Sequence, residues 1–139
     1  MSKAALRKKL EHISVLLAEL ETLLTKPFAN LAADHLSLHA AERKFLLIVE
    51  LASEINTSLI LDASGKTPDS YRESFTGLRR LGIIAEELLG QLADSAKLRN
   101  ILSHEYDFES DDRKFYDFTK DVVPAYREYL KAVLTFLDK

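Results

Sequence analysis

The feature that most constrains this chain lies in its first two dozen residues. Leu6, Leu10, Ile13, Leu17, Leu20 and Leu24 recur at steps of three and four. That spacing lines them along one face of an α-helix, whereas a strand would scatter them over both of its faces. Similar stepping continues downstream with little to interrupt it, since four glycines and three prolines are spread over 139 residues. A chain so poor in turn formers builds long helices joined by few turns. No strand-like alternation, internal repeat or low-complexity tract is present. The pattern predicts an all-α protein: an up-and-down bundle of four to five helices, forming a single domain over 1–139.

The punctuation that does occur sets the boundaries. The first helix is expected from Lys3 to Thr25, closed by Lys26-Pro27, because the residue before a proline is pushed out of the helical region. The segment Phe28–Asp34 reads as a turn or short helical piece. Asp34 is a good N-cap for a second helix running to about Leu61. Its broad apolar face of Phe45, Ile48, Val49, Ala52, Ile55 and Leu59 predicts contact with more than one partner helix. Residues 62–70 form the clearest loop, with Gly65 suited to a helix C′ position and Pro68 beyond it. A shorter helix over 70–81 is expected to end at Gly82. Another follows to His104, where Gly90 is expected to break or bend it at a cost of roughly 1 kcal/mol relative to Ala. Ser110, ahead of Asp111 and Asp112, reads as the N-cap of the last helix. Phe115, Phe118, Val122, Tyr126, Leu130, Val133 and Leu137 form its apolar stripe, and Pro124 inside it is expected to kink it.

Bulk chemistry narrows the function. With no cysteine, the chain offers no thiol nucleophile, no disulfide framework and no cysteine zinc site. The longest apolar run is far short of a membrane span. The basic start of "MSKAALRKKLEHISVLL" is not expected to act as a signal peptide, because Glu11, His12 and Ser14 interrupt the apolar run. The expected location is the cytoplasm. A net charge of −3 argues against a surface coated for tracking nucleic acid but leaves room for a local phosphate site.

The candidate site is "KLRNILSHEYDF", residues 97–108. Asn100 and His104, four apart, share a helix stripe. Arg99 and His104 are about 140° apart on an ideal helix, so the long arginine side chain has to reach in from the edge. Tyr106 falls where the helix is expected to fray. Arginine offers a planar fork of donors that suits a phosphate and stays charged at any working pH. Histidine carries a proton either way near neutrality. With Asn100 to orient a hydroxyl or the imidazole, the set suits metal-free RNA cleavage. In that reaction the ribose 2′-OH attacks the neighbouring phosphate and expels the 5′-oxygen. DNA lacks that hydroxyl and is expected to be spared. In-line displacement wants a base on one side of phosphorus and an acid on the other. One histidine per chain therefore predicts a homodimer whose two-fold axis brings two motif segments into one cleft. Against this stands a plainer reading: an ion-paired arginine beside a capping histidine, a combination that short motifs produce readily.

The stretch from Arg99 to Tyr106, Arg-Asn-Ile-Leu-Ser-His-Glu-Tyr, resembles the Arg-x4-His-x-Tyr signature of HEPN-domain toxins of the HepT type. The preceding "PDSYRESFTGLRRLGIIAEELLGQLADSAKLRN" is also similar to that family, as is "LLIVELASEIN" with Glu50 in its apolar face. The resemblance spans roughly residues 1–138. It implies a HEPN-like bundle that dimerises, and a metal-independent endoribonuclease needing no cofactor that acts as the toxin of a toxin–antitoxin pair. The implied antitoxin is a minimal nucleotidyltransferase that transfers AMP to the motif tyrosine. Carried onto this chain, Arg99 and His104 are catalytic, Asn100 is supporting and Tyr106 is the modified residue. Ser103 stands where relatives often carry an apolar residue, and its hydroxyl is placed to adjust the hydrogen bonding of His104. A rival from another class is a non-catalytic helical adaptor, a substrate-binding partner of a nucleotidyltransferase.

Other residues have plainer expectations. Glu105, Asp107, Glu109, Asp111 and Asp112 suit a solvated loop and a helix N-terminus, or else a docking site for a basic antitoxin surface or for nucleotide-bound Mg²⁺. His35 and His39 have metal-binding spacing but only Glu42 as an evident third ligand, which makes a weak site. His12 lies off the apolar stripe and is expected in solvent. Arg43, Lys44, Arg79, Arg80 and Lys97 offer at most a modest basic rim. Tyr126, Tyr129 and Phe136 are expected in core or interface. Glu50, if buried, needs a cation, and Arg99 is one possible partner.

Overall fold

The structure is a computed structural model that describes residues 1–104 and 108–139, with side chains described over 1–102 and 111–139. Among the described residues six helices follow in order: α1 (Lys3–Leu24), α2 (Phe28–Ala33), α3 (His35–Ser64), α4 (Tyr71–Arg80), α5 (Glu86–His104) and α6 (Phe108–Leu137). The four long ones, α1, α3, α5 and α6, make the up-and-down bundle. Cross-helix contacts fix their directions. Lys9 pairs with Glu54 and Lys44 with Glu19, so α1 and α3 are antiparallel. The Phe45–Phe115 edge contact and the Tyr129–Asn56 hydrogen bond set α6 parallel to α3. Tyr116 on Lys26 and Arg7 on Asp138 set α6 antiparallel to α1. The Ser95–Tyr126 hydrogen bond joins α5 to α6. The stripe on α1 is buried throughout, from Leu6 to Leu24, and the broad face of α3 contributes Phe45, Ile48, Val49, Ala52, Ile55 and Leu59 to the same core. Among the described residues, no helix is long and apolar enough to cross a membrane.

The helix ends follow local chemistry. Ser2, Asp34 and Ser70 each accept a backbone N–H from the first turn of their helix, satisfying donors that have no partner inside the helix. Gly65 closes α3 with φ +74°, a left-handed conformation that glycine adopts without a side-chain penalty. At the end of α4 the Ile83 N–H reaches the Leu78 carbonyl and the Gly82 N–H reaches Arg79, with Gly82 at φ +75°. That double bond is a Schellman stop.

Three expectations need correction. Gly90 does not break the helix, because α5 runs unbroken through it and packing on either side outweighs a propensity cost of about 1 kcal/mol. Ser110 is not the cap of α6. The helix already begins at Phe108, since acids that favour the exposed N–H groups mark a helix start without fixing its first residue. Helix α3 runs three residues past Leu61, as far as Ser64, and stops at the left-handed Gly65 rather than where the apolar stripe fades. Pro124 lies inside α6, which is one helix on both sides of it.

Gly77 and Gly90 form a contrasting pair. A Cβ on Gly77 would run into the Ile60 side chain, whereas one on Gly90 would meet nothing within 4 Å. Gly77 thus lets α4 close onto α3, while Gly90 only weakens its helix. Gly90→Ala is expected to raise stability by about 0.5–1 kcal/mol, seen as a higher urea midpoint at unchanged slope. Gly77→Ala is expected to lower the midpoint. Equal shifts for the two variants would contradict this packing.

Candidate active site

Arg99 leaves α5 toward α3, and two side chains meet it. Its Nη2 donates to Glu50 Oε1 at 3.3 Å. Its guanidinium carbon lies 4.6 Å from the centroid of the Tyr71 ring, within range for a cation–π contact. The Arg99 side chain is 19% exposed and that of Glu50 34%. A charge this far from water needs compensation, and Glu50 supplies it. The pairing expected for a buried Glu50 is therefore present. Arg99 Nε is buried and makes no hydrogen bond. Among the described residues, Glu50 is the one hydrogen-bond acceptor the guanidinium reaches.

Backbone and packing hold these groups. Tyr71 opens α4, directly after the Ser70 cap. Its carbonyl accepts from Ser74 Oγ at 2.7 Å, and Ser74 Oγ in turn accepts from Asn56 Nδ2 at 3.2 Å. Asn56 Oδ1 accepts from the Tyr129 hydroxyl at 2.7 Å. Asn56, Ser74 and Tyr129 have no solvent exposure, so this relay ties the first turn of α4 to α3 and α6. Beside it opens a groove of about 930 Å³, lined among others by Glu50, Ser53, Thr57, Ser70, Tyr71 and Asn100.

Of the residues singled out in the sequence, Asn100 lies on the wall of this groove, and Arg99 contacts Glu50 and Tyr71, which line it. Positions 100 and 104 share one face of α5, whose last residue is His104. The side chains of Ser103 and His104, and Tyr106 as a whole, lie outside the described residues. Tyr71 was missed as a site residue. It sits in the family-like segment, but an aromatic after a helix cap carries no periodic signal of a role.

The remaining expectations divide. His35 and His39 stack with ring centroids 6.1 Å apart near Asp112, yet no group of three His, Cys, Asp or Glu among the described residues is arranged to hold a metal. His12 is exposed. Lys44 and Arg79 are paired with Glu19 and Glu86 rather than free for RNA. Tyr126 and Tyr129 are core residues, whereas Phe136 is 39% exposed. Glu42, a half-buried neighbour of Asp112, has Oε1 buried without a hydrogen bond. Burial first, and then the nearby Asp112 charge, pushes its carboxyl up to about 7. Asp112 is also raised by burial, against the opposing pull of His35 and His39.

Solved structures share this architecture. A tri-AMPylated Shewanella oneidensis HEPN toxin in complex with its MNT antitoxin superposes with a TM-score of 0.78 at 16% identity, covering 97% of this chain and 99% of that one. A toxin–antitoxin structure with AMP-PNP gives 0.73 at 20% identity, covering 99% and 98%. At such identities the likeness assigns the fold, a HEPN bundle. The sequence goes further: residues 13–133 match the family described as Ribonuclease HepT-like, and the chain belongs to that family. A tRNA nuclease HepT from Aphanizomenon flos-aquae is 31% identical over 118 residues, or 81% of this chain and 79% of that protein.

Glu42 gives this region a pH signature. A carboxyl whose folded-state pKa is about 7 against an ordinary 4.5 holds its proton in the native state after the unfolded chain has released it. Its stabilising contribution is complete below about 4.5 and is lost as pH rises through 7. Glu42→Gln is expected to be more stable than the wild type at pH 8 and to converge with it toward pH 5. The gap at pH 8 should be on the order of 1 kcal/mol after solvent screening of a half-exposed group. Parallel stability–pH curves for the two proteins would refute the assignment.

Proposed function

We propose that this chain is the toxin of a toxin–antitoxin pair: a metal-independent endoribonuclease with a composite site at a homodimer interface. The single observation that carries the reading is the Arg99 guanidinium. It is braced by Glu50 and Tyr71, five residues before His104, in a chain of the HepT-like ribonuclease family. In the proposed reaction the His104 imidazole takes the proton of a ribose 2′-OH. The 2′-oxygen attacks phosphorus, and Arg99 neutralises the charge that builds on the non-bridging oxygens. The bond to the 5′-oxygen breaks, and that oxygen takes a proton from the imidazolium of the second protomer. A 2′,3′-cyclic phosphate and a 5′-hydroxyl result. Asn100 orients the reacting groups, and Ser103 tunes the His104 hydrogen bond. The tRNA nuclease activity named for the relative supports RNA as substrate.

Control is proposed to act at Tyr106. A nucleotidyltransferase antitoxin moves AMP from ATP to the phenol oxygen, releasing pyrophosphate. The phosphodiester so formed competes for the donors of Arg99, while the adenosine fills the cleft. The AMPylated toxin of the Shewanella complex supports this reading.

Expression of the wild type without its partner is expected to arrest bacterial growth, whereas Arg99→Ala and His104→Ala leave growth normal. Loss of general-base catalysis alone should slow cleavage by roughly 10²–10⁴-fold. With the partner present, intact-mass measurement is expected to show AMP on the wild type and none on Tyr106→Phe. Growth unaffected by the wild type would favour the adaptor reading, and an AMP-bearing Tyr106→Phe would move the switch elsewhere.

A further inference from the structure

We propose that Tyr71 is a positioning residue for the Arg99 guanidinium; the inference rests on the ribonuclease reading above. The guanidinium carbon sits over the ring, 4.6 Å from its centroid, and Glu50 takes one Nη2 donor. These contacts do different things. A carboxylate held by a single hydrogen bond fixes a point but leaves the guanidinium plane free to turn about it. An aromatic face fixes the plane. With both in place, the orientation of the donors left for a phosphate is set before any substrate arrives. A positively charged group so held stabilises developing charge without reorganising during the reaction.

The ring is itself held rigidly, as a positioning role requires. Ser70 caps the turn on which Tyr71 sits. The buried relay from Tyr129 through Asn56 and Ser74 ends on the Tyr71 carbonyl. Phe75, one turn later and fully buried, packs edge-on against Tyr126 and Tyr129. The start of α4 is thus anchored in the core, while the Tyr71 side chain remains half-exposed at the groove wall. No hydrogen bond of the Tyr71 hydroxyl is needed for this role, so a phenyl ring should serve as well as a phenol.

The test compares Tyr71→Phe, Tyr71→Trp and Tyr71→Leu in the full chain on two readouts. In RNA cleavage, Phe and Trp are expected to keep kcat within about twofold of the wild type. Leu is expected to lower kcat about tenfold with little change in KM, thermal midpoint or the shape of the pH profile. In proton–nitrogen NMR, the Arg99 Nε–H resonance, assigned by its loss in Arg99→Lys, should carry a ring-current shift. That shift should be retained with Phe and Trp and abolished with Leu. Cleavage by Tyr71→Leu equal to the wild type, or an Arg99 resonance indifferent to the ring, overturns the proposal. A fall in kcat matched by a fall in thermal midpoint and not rescued by Phe overturns it as well, by making the effect one of folding. If the wild type cleaves no RNA, it is the ribonuclease reading that fails, and the resonance alone decides whether the ring holds the arginine.

Discussion

Three helices of this bundle meet through one buried chain of hydrogen bonds. The Tyr129 hydroxyl on α6, the Asn56 amide on α3 and the Ser74 hydroxyl on α4 pass from one to the next and finish on the Tyr71 carbonyl. All three side chains are shut off from water. Polar groups in that position are costly unless every link is made, and once made they admit few alternative arrangements. Apolar packing alone lets a short helix such as α4 slide on its neighbours. The relay pins its first turn, and Gly77 lets it lie close to Ile60. Where Tyr71 stands, and so how Arg99 is braced, depends on that pin.

The site then follows from charge. An arginine largely withdrawn from water needs an opposite charge nearby, and Glu50 provides it from α3. The ion pair draws α5 against α3 close to where the motif begins. Tyr71 adds a contact that neither replaces nor competes with the carboxylate. The outcome is a cation that is neutralised enough to be largely buried, with one Nη2 donor on Glu50 and the ring of Tyr71 beside it. Such a group is suited to receive a phosphate, because the work of desolvating and orienting it has been done during folding.

The sequence reveals some of this directly. Three-and-four stepping is periodic, so α1 and the inner face of α3 could be read residue by residue, and the Gly65 and Gly82 stops have a steric cause that local sequence displays. The Glu50–Arg99 pair was also readable, since an acid in an apolar stripe demands a cation. The beginning of α6 was not readable to the residue, because first-turn acids act over several positions. Nor was the unbroken course of α5 through Gly90, where tertiary packing overrides a local penalty. Tyr71 was hidden for another reason: its role comes from a contact across 28 positions of chain, which no local pattern encodes.

The central claim is that Arg99 and His104 together cleave RNA by attack of its own 2′-hydroxyl. The most direct measurement is end-group analysis of a short RNA incubated with the purified protein in EDTA, beside the same oligonucleotide carrying one 2′-deoxy substitution at the cleavage point. The account predicts a 2′,3′-cyclic phosphate on the upstream fragment, a 5′-hydroxyl on the downstream one, and no cut at the deoxy position. A 5′-phosphate product, or cleavage of the deoxy substrate at the same bond, would contradict it.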